Sequence, residues 1–267
     1  MLRPRIIPCL LIRDGGLVKT VQFGEGKYVG DPINAVKIFN EKEADELIVL
    51  DIDATAQNRD PDYRMIAHVA AECRMPLCYG GGVRTAEQAK RIIGLGVEKV
   101  AVSSAGVANS RLYGDMASDV GSQSVVMVLD VKKRAWRGGY EVYTHNGSRR
   151  TRLDPFVLAS EAEQLGVGEV VINSIDRDGV MTGYDLELAA RTRAATRLPI
   201  TMLGGAGSLQ DLQDLVATCG IVGAAAGSLF VFKGTYRAVL ISYPNESQKR
   251  GIYGTPRQSA NATLHES

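Results

Sequence analysis

Pro76-Leu77-Cys78-Tyr79-Gly80-Gly81-Gly82-Val83-Arg84-Thr85 reads as a short apolar strand, a glycine turn and the start of a helix. Pro199-Ile200-Thr201-Met202-Leu203-Gly204-Gly205-Ala206-Gly207-Ser208 has the same plan about 120 residues later. Leu50-Asp51-Ile52-Asp53 is echoed at a similar offset by Ser174-Ile175-Asp176-Arg177-Asp178. A repeat of that length, made of strand, turn and helix, predicts two fused halves of one domain.

On either side of these stretches, short β-branched runs that end in Asp, Gly or Ser alternate with segments of helical period, the pattern of parallel βα units. Eight are found: Ile6 to Leu11, Leu47 to Ile52, Pro76 to Tyr79, Lys99 to Ser103, Ser124 to Val131, Glu169 to Ile175, Pro199 to Leu203 and Gly220 to Ala225. Eight strands favour closure over an open doubly wound sheet. The expected fold is a single α/β (β/α)8 TIM barrel of two similar half-barrels over residues 1–247. Residues 248–267 carry no apolar period and are expected to form a disordered tail.

The 267 residues suit one barrel domain. Lys plus Arg number 31 against 30 Asp plus Glu, so no net field recruits nucleic acid or an anionic membrane. Neither a basic patch nor a run of aromatics shows in the pattern, and single-strand nucleic acid binding is set aside. The four cysteines lack CxxC spacing, and Cys9 and Cys78 lie in apolar runs, so no metal site and no cofactor are expected. The N-terminal apolar stretch is broken by Arg13 and Asp14, too short for a signal or a membrane span, and the expected location is the cytoplasm.

In a barrel of this kind the chemistry sits on the loops that follow the strands. Gly81 and Gly82 after the third run, with Ser103 and Ser104 after the fourth, make one candidate phosphate cradle. Gly204 and Gly205 after the seventh, with Gly227 and Ser228 after the eighth, make its counterpart. Small residues there let an anion approach backbone N–H groups at helix starts. The plain alternative is that these glycines only make tight turns. Paired cradles point to a bis-phosphorylated small-molecule ligand spanning the mouth. Asp130 closes the fifth run between them and is a candidate acid or base, against the alternative that it pairs with Lys132 or Lys133. Asp51, Asp176 and Asp178 also lie at strand ends, some of them as turn caps. The repeat puts the partner of Asp130 near position 11, where Leu11 can neither give nor take a proton. At the strand starts, Arg5, Glu46, Lys99 and Glu169 can form a charged ring across the floor, read from residue types alone as a stabilising plug.

These residues resemble, up to the tail, the cyclase subunit of imidazole glycerol phosphate synthase, the HisF-like family of histidine biosynthesis. The resemblance rests on Arg5-Ile6-Ile7-Pro8-Cys9-Leu10, Asp14-Gly15, Val18-Lys19, Gly30-Asp31-Pro32, Ala44-Asp45-Glu46-Leu47, Gly80-Gly81-Gly82, Glu141-Val142-Tyr143-Thr144-His145, Ser174 through Gly179, Gly183-Tyr184-Asp185 and Gly204 through Gly207. It implies a class I glutaminase (HisH-like) docked on the N-terminal face. It also implies an ammonia gate at Arg5, Glu46, Lys99 and Glu169, and an acid/base pair at the mouth. The second of that pair falls on Asp130 and the first on Leu11, leaving Asp178 and Lys19 as further catalytic candidates, with Gly179 a candidate for phosphate binding. Ser103 stands where the family has Asn, and Leu203 where it has a small polar residue. These departures resemble the paralogue of surface-polysaccharide pathways, in which the ammonia goes to a separate sugar amidotransferase. The alternatives are the ordinary cyclase, with Asp130 helped by Asp178 and Lys19, and a non-catalytic scaffold that activates the glutaminase.

Overall fold

Every apolar run read from the sequence forms a strand in the computed structural model, which describes residues 3–135 and 138–253. The strands are β1 (Arg5–Arg13), β2 (Leu47–Asp51), β3 (Leu77–Gly80), β4 (Lys99–Val102), β5 (Val125–Lys133), β6 (Glu169–Ser174), β7 (Ile200–Leu203) and β8 (Gly223–Ala226). Each pairs in parallel with the next, and β8 pairs with β1 through Arg5 and Gly223, so the sheet closes. The expected (β/α)8 barrel is the fold. Closure leaves none of these eight strands at an edge.

Alternation along each strand sorts the side chains. One set faces the axis, where Ile7, Cys9, Ile48, Cys78, Val126, Val128, Val171 and Leu203 pack as a dry inner cluster. The other set, including Ile6, Leu10, Val49, Val100, Leu129 and Ile172, packs under the surrounding helices. Cys9 and Cys78 are buried free thiols, and burial pushes the Cys9 thiol up to about 12, so both act as small apolar residues.

The half-barrel repeat reappears as local chemistry. Thr85 and Gln88 form a reciprocal capping box on the helix Ala86–Gly94, and Ser208 and Asp211 form its counterpart on Leu209–Cys219. Asp31, Asp62, Asp154 and Asp185 accept first-turn amide bonds of four other helices, so the polar residue ending each loop sets where the next helix begins.

Three features depart from the sequence reading. Residues 248–253, expected in a disordered tail, belong to a helix, Glu246–Tyr253. One face of that helix is buried. Ile252 enters the core, Lys249 Nζ reaches Glu43 O at 2.9 Å and Asp45 at 3.3 Å, and the Tyr253 hydroxyl donates to Asp45 at 2.6 Å. The period was missed because a single apolar residue and a buried lysine carry it. The remainder of the expected tail, residues 254–267, lies outside the described residues.

Secondly, β5 runs beyond the barrel and pairs antiparallel with Tyr140–Thr144, which in turn pairs with Arg149–Arg150. This arm brings the exposed Lys132, Lys133, Arg134, Arg149, Arg150 and Arg152 close together, with Lys133 paired to Asp185 and Glu187 and with Arg134 and Arg150 paired to Glu141. These cations come from two segments of chain and meet only through the pairing. Thirdly, the loop after β1 is a hairpin of Gly16–Lys19 and Lys27–Gly30. Among the described residues no helix is long and apolar enough to cross a membrane.

Candidate active site and floor ring

The strand ends carry the loops to one mouth, which holds a cavity of about 130 Å³. Lys19, Gly81, Gly82, Ser103, Ser104, Asp130, Asp178, Gly179, Gly204, Gly205, Gly227 and Ser228 all line it. With Thr55 and Asn146 also in the lining, residues that follow all eight strands converge on one place, and the apolar Leu11, Leu50 and Leu203 line its inner side.

The glycine turns are required whatever they bind. Gly81 has φ +120°, and a Cβ there would meet Asp51 O at 2.4 Å; Gly205 has φ +112°, and a Cβ would meet Gly183 O at 2.2 Å. Both readings of these glycines therefore hold together: the turn is tight, and its tightness bares the backbone to the cavity. The helices after β4 and β8, Ser104–Ala108 and Ser228–Val231, are about a turn long. An anion here would be held by loop and first-turn N–H groups rather than by a long helix dipole.

Asp130 is placed by β5 at the rim of the inner face. Ser103 Oγ from β4's end reaches its Oδ2 at 3.4 Å, and Asn173 Nδ2 from β6 donates to its Oδ1 at 3.1 Å. It does not pair with Lys133, which turns to Asp185 at 3.5 Å and Glu187 at 3.8 Å. Burial raises the Asp130 carboxyl to about 6, the two hydrogen bonds hold it down, and Asp178 adds to the rise. An acid poised near neutrality can both take and give a proton. Asn173 was missed because an Asn inside an apolar strand carries no pattern of its own.

Lys19 Nζ is buried and donates to Cys9 O at 2.6 Å, and burial lowers its proton affinity. Its ammonium abuts the second cradle, because a Cβ on Gly227 would lie 2.6 Å from Nζ. Asp178 accepts from Thr20 Oγ1 at 2.7 Å and from Phe23 N at 3.2 Å, which ties the first loop to the sixth; burial still raises its carboxyl. Asp51 caps the amides of Asp53 and Ala54, and Asp176 accepts from Lys133 N, so these two act as turn and arm anchors.

At the opposite end the four floor charges close into a ring. Arg5 contacts Glu46 and holds Glu169 at 2.7 Å, and Lys99 Nζ reaches Glu46 at 2.7 Å and Glu169 at 2.8 Å. Thr201 Oγ1 adds a donor to Glu169 at 2.6 Å. Burial alone would push Glu169 up, but Arg5 and Lys99 outweigh it and hold the carboxyl at about 2.

A stability consequence follows for Asp130. Its folded value of about 6 lies above the value near 4 of an unfolded Asp, so the folded state binds that proton more tightly. The ionised carboxylate then costs stability, an effect absent below about pH 4 and complete above about pH 6. Asp130→Asn is expected to stabilise the protein by about 1–2 kcal/mol at pH 8 and by nothing at pH 4, read from urea unfolding. Equal effects at both pH values would show that the carboxylate is not strained.

A family model described as histidine biosynthesis protein matches residues 5–237. A Leptospira interrogans protein, provisionally named imidazole glycerol phosphate synthase subunit HisF, is 54% identical over 253 residues, covering 95% of this chain and 100% of its own length. A Pseudomonas aeruginosa protein with a similar provisional name is 53% identical over 245 residues, 92% of this chain and 97% of its own. The Lactiplantibacillus plantarum imidazole glycerol phosphate synthase subunit HisF is 41% identical over 232 residues, 87% of this chain and 92% of its own. With the barrel, the mouth and these matches together, the chain belongs to the histidine biosynthesis protein family, among its HisF-like members.

Proposed function

We propose that this chain is the synthase-type subunit of a two-subunit glutamine amidotransferase of the cytoplasm. A class I glutaminase on the N-terminal face supplies ammonia, which passes the floor ring, crosses the barrel and leaves at the mouth. A separate sugar amidotransferase then uses it in O-antigen or surface-polysaccharide assembly. The observation that carries this reading is Leu11: the mouth keeps Asp130 and both glycine cradles but has an apolar side chain where a second proton-handling group would stand.

The interior supports a conduit for the neutral molecule. The four floor charges are paired two against two and offer an ammonium ion no unpaired carboxylate, and the apolar cluster above them makes an ion costly to pass but ammonia cheap. On this reading Arg5, Glu46, Lys99 and Glu169 admit ammonia, the cradles hold the ends of a bis-phosphorylated ligand, and Asp130 handles any proton at the exit.

The second reading, imidazole glycerol phosphate synthesis in histidine biosynthesis, is favoured by the poise of Asp130 near 6 and by the convergence of Lys19 and Asp178 on the same cavity. The two separate in an assay with saturating ammonium and the histidine-pathway bis-phosphorylated ribulosyl intermediate. The proposal expects no turnover by the natural protein; robust turnover would overturn it in favour of the cyclase.

A further inference from the structure

Asn173 on β6 stands beside Asp130 on β5 in the parallel register of the barrel. Both lie on the inner face at the mouth, and Asn173 is buried. Its Nδ2 points at Asp130 Oδ1, while its own Oδ1 is buried and without a donor among the described residues. A side-chain amide can present either end, and a buried acceptor left without a donor is costly. Here the oxygen goes unsatisfied while the nitrogen serves the carboxylate. Ser103 Oγ, from the other neighbouring strand, covers Oδ2 at the longer distance of 3.4 Å. Each carboxylate oxygen so has one neutral donor, and the shorter contact is the amide's.

The charged and titratable groups around Asp130 leave this role to Asn173. Asp178, after β6, opposes ionisation of Asp130 and is itself bound to Thr20 and Phe23. Lys19, after β1, spends its buried ammonium on the Cys9 carbonyl. Asp51 on β2 is tied to the amides of Asp53 and Ala54 and to Arg59. On the arm, Tyr143 pairs with Asp130 through the backbone register and Lys132 is exposed. Across the mouth stands Leu11, with no polar atom on its side chain. Among the described residues only Asn173 and Ser103 donate to the carboxylate.

We infer that Asn173 is a positioning residue: its amide aims the Asp130 carboxylate into the mouth and sets how tightly Asp130 holds its proton, so that one carboxylate can act where Leu11 has removed the second. The inference rests on Asp130 being the proton-handling group of the mouth. It is indifferent to which acceptor receives the ammonia.

The test reads Asp130 directly, by carbon-13 NMR titration of its carboxyl in the full chain, with the resonance assigned by its loss in Asp130→Asn. The natural protein is expected to titrate near 6. Asn173→Leu removes the donor at similar volume and is expected to move the midpoint up by about one unit, a tenfold tighter proton. Ser103→Ala is expected to move it less, and Asn173→Thr, which restores a donor, to bring most of the shift back. A midpoint in Asn173→Leu within about a third of a unit of the natural one would overturn the inference. Should that variant not fold, Asn173→Ala against Asn173→Ser reads the same contrast, and equal midpoints in that pair would overturn it too. The cyclase assay can come out either way without changing these outcomes.

Discussion

Leu11→Asp is expected to raise ammonium-dependent cyclase turnover by about 100- to 10,000-fold over the natural protein, the usual worth of one well-placed general acid or base. Position 11 lies on β1 beside Leu50 and Val18 in the register, and it lines the cavity that Asp130 shares. A carboxylate there is partly wet, so its desolvation is incomplete. The like charge of Asp130 then matters more. Two carboxylates on one cavity titrate in two separated steps that belong to the pair, and the gained activity should show a bell-shaped pH profile with the upper limb above 6.

The substitution also uncovers part of the inner cluster near Leu50 and Leu203, and a stability loss of about 1–3 kcal/mol is expected alongside the gain. Leu11→Asn separates the two effects, because it has the shape and polarity without the proton. Activity in the Asp variant alone would show that the scaffold and cradles of a cyclase persist around a missing group. Equal activity of the two variants would mean that a proton at position 11 is not what the natural protein lacks.

Lys99→Met is expected to cost about 3–5 kcal/mol of stability at pH 7, because Glu46 and Glu169 are buried and each loses a direct ion pair. The pH dependence has a definite sign. Glu169 has its folded value depressed to about 2, so its stabilisation is complete above the unfolded value near 4 and is lost as the pH falls through 2. The penalty of the Met variant should accordingly shrink between about pH 4 and pH 2, as urea unfolding across that range would record.

If the ring is also the gate, Lys99→Met and Arg5→Ala should uncouple the partner glutaminase, with product formed per glutamine hydrolysed falling several-fold. Loss of stability with unchanged coupling in both variants would leave the ring as a plug. Unchanged stability would contradict the ring geometry itself.

Much of the fold lay open in the sequence, because the barrel is built from short-range rules applied eight times. Apolar runs bounded by Gly, Asp or Ser fix the strands, and polar residues at the loop ends fix the helix starts. Thr85 with Gln88 and Ser208 with Asp211 complete their capping boxes within three residues. The mouth was legible for the same reason, since a residue just past a parallel barrel strand has only one end of the barrel to occupy. The repeat likewise placed Leu11 opposite Asp130, and both line the one cavity.

What the tertiary structure decided are the partners of buried polar groups, and these are set by strand register across long stretches of chain. Lys99 meets glutamates 53 and 70 residues away, and the Asn173 amide meets Asp130 across 43. The Glu141 pairs with Arg134 and Arg150 likewise exist only once residues 132–134 and 149–152 lie side by side, and Lys249 finds Asp45 only when the last helix folds back on the floor. Composition and period record which face a side chain takes, a property of two or three neighbours. They do not record which distant strand arrives beside it. Burial in a closed barrel makes that choice, because a polar atom removed from water must take the donor or acceptor that closure places within reach.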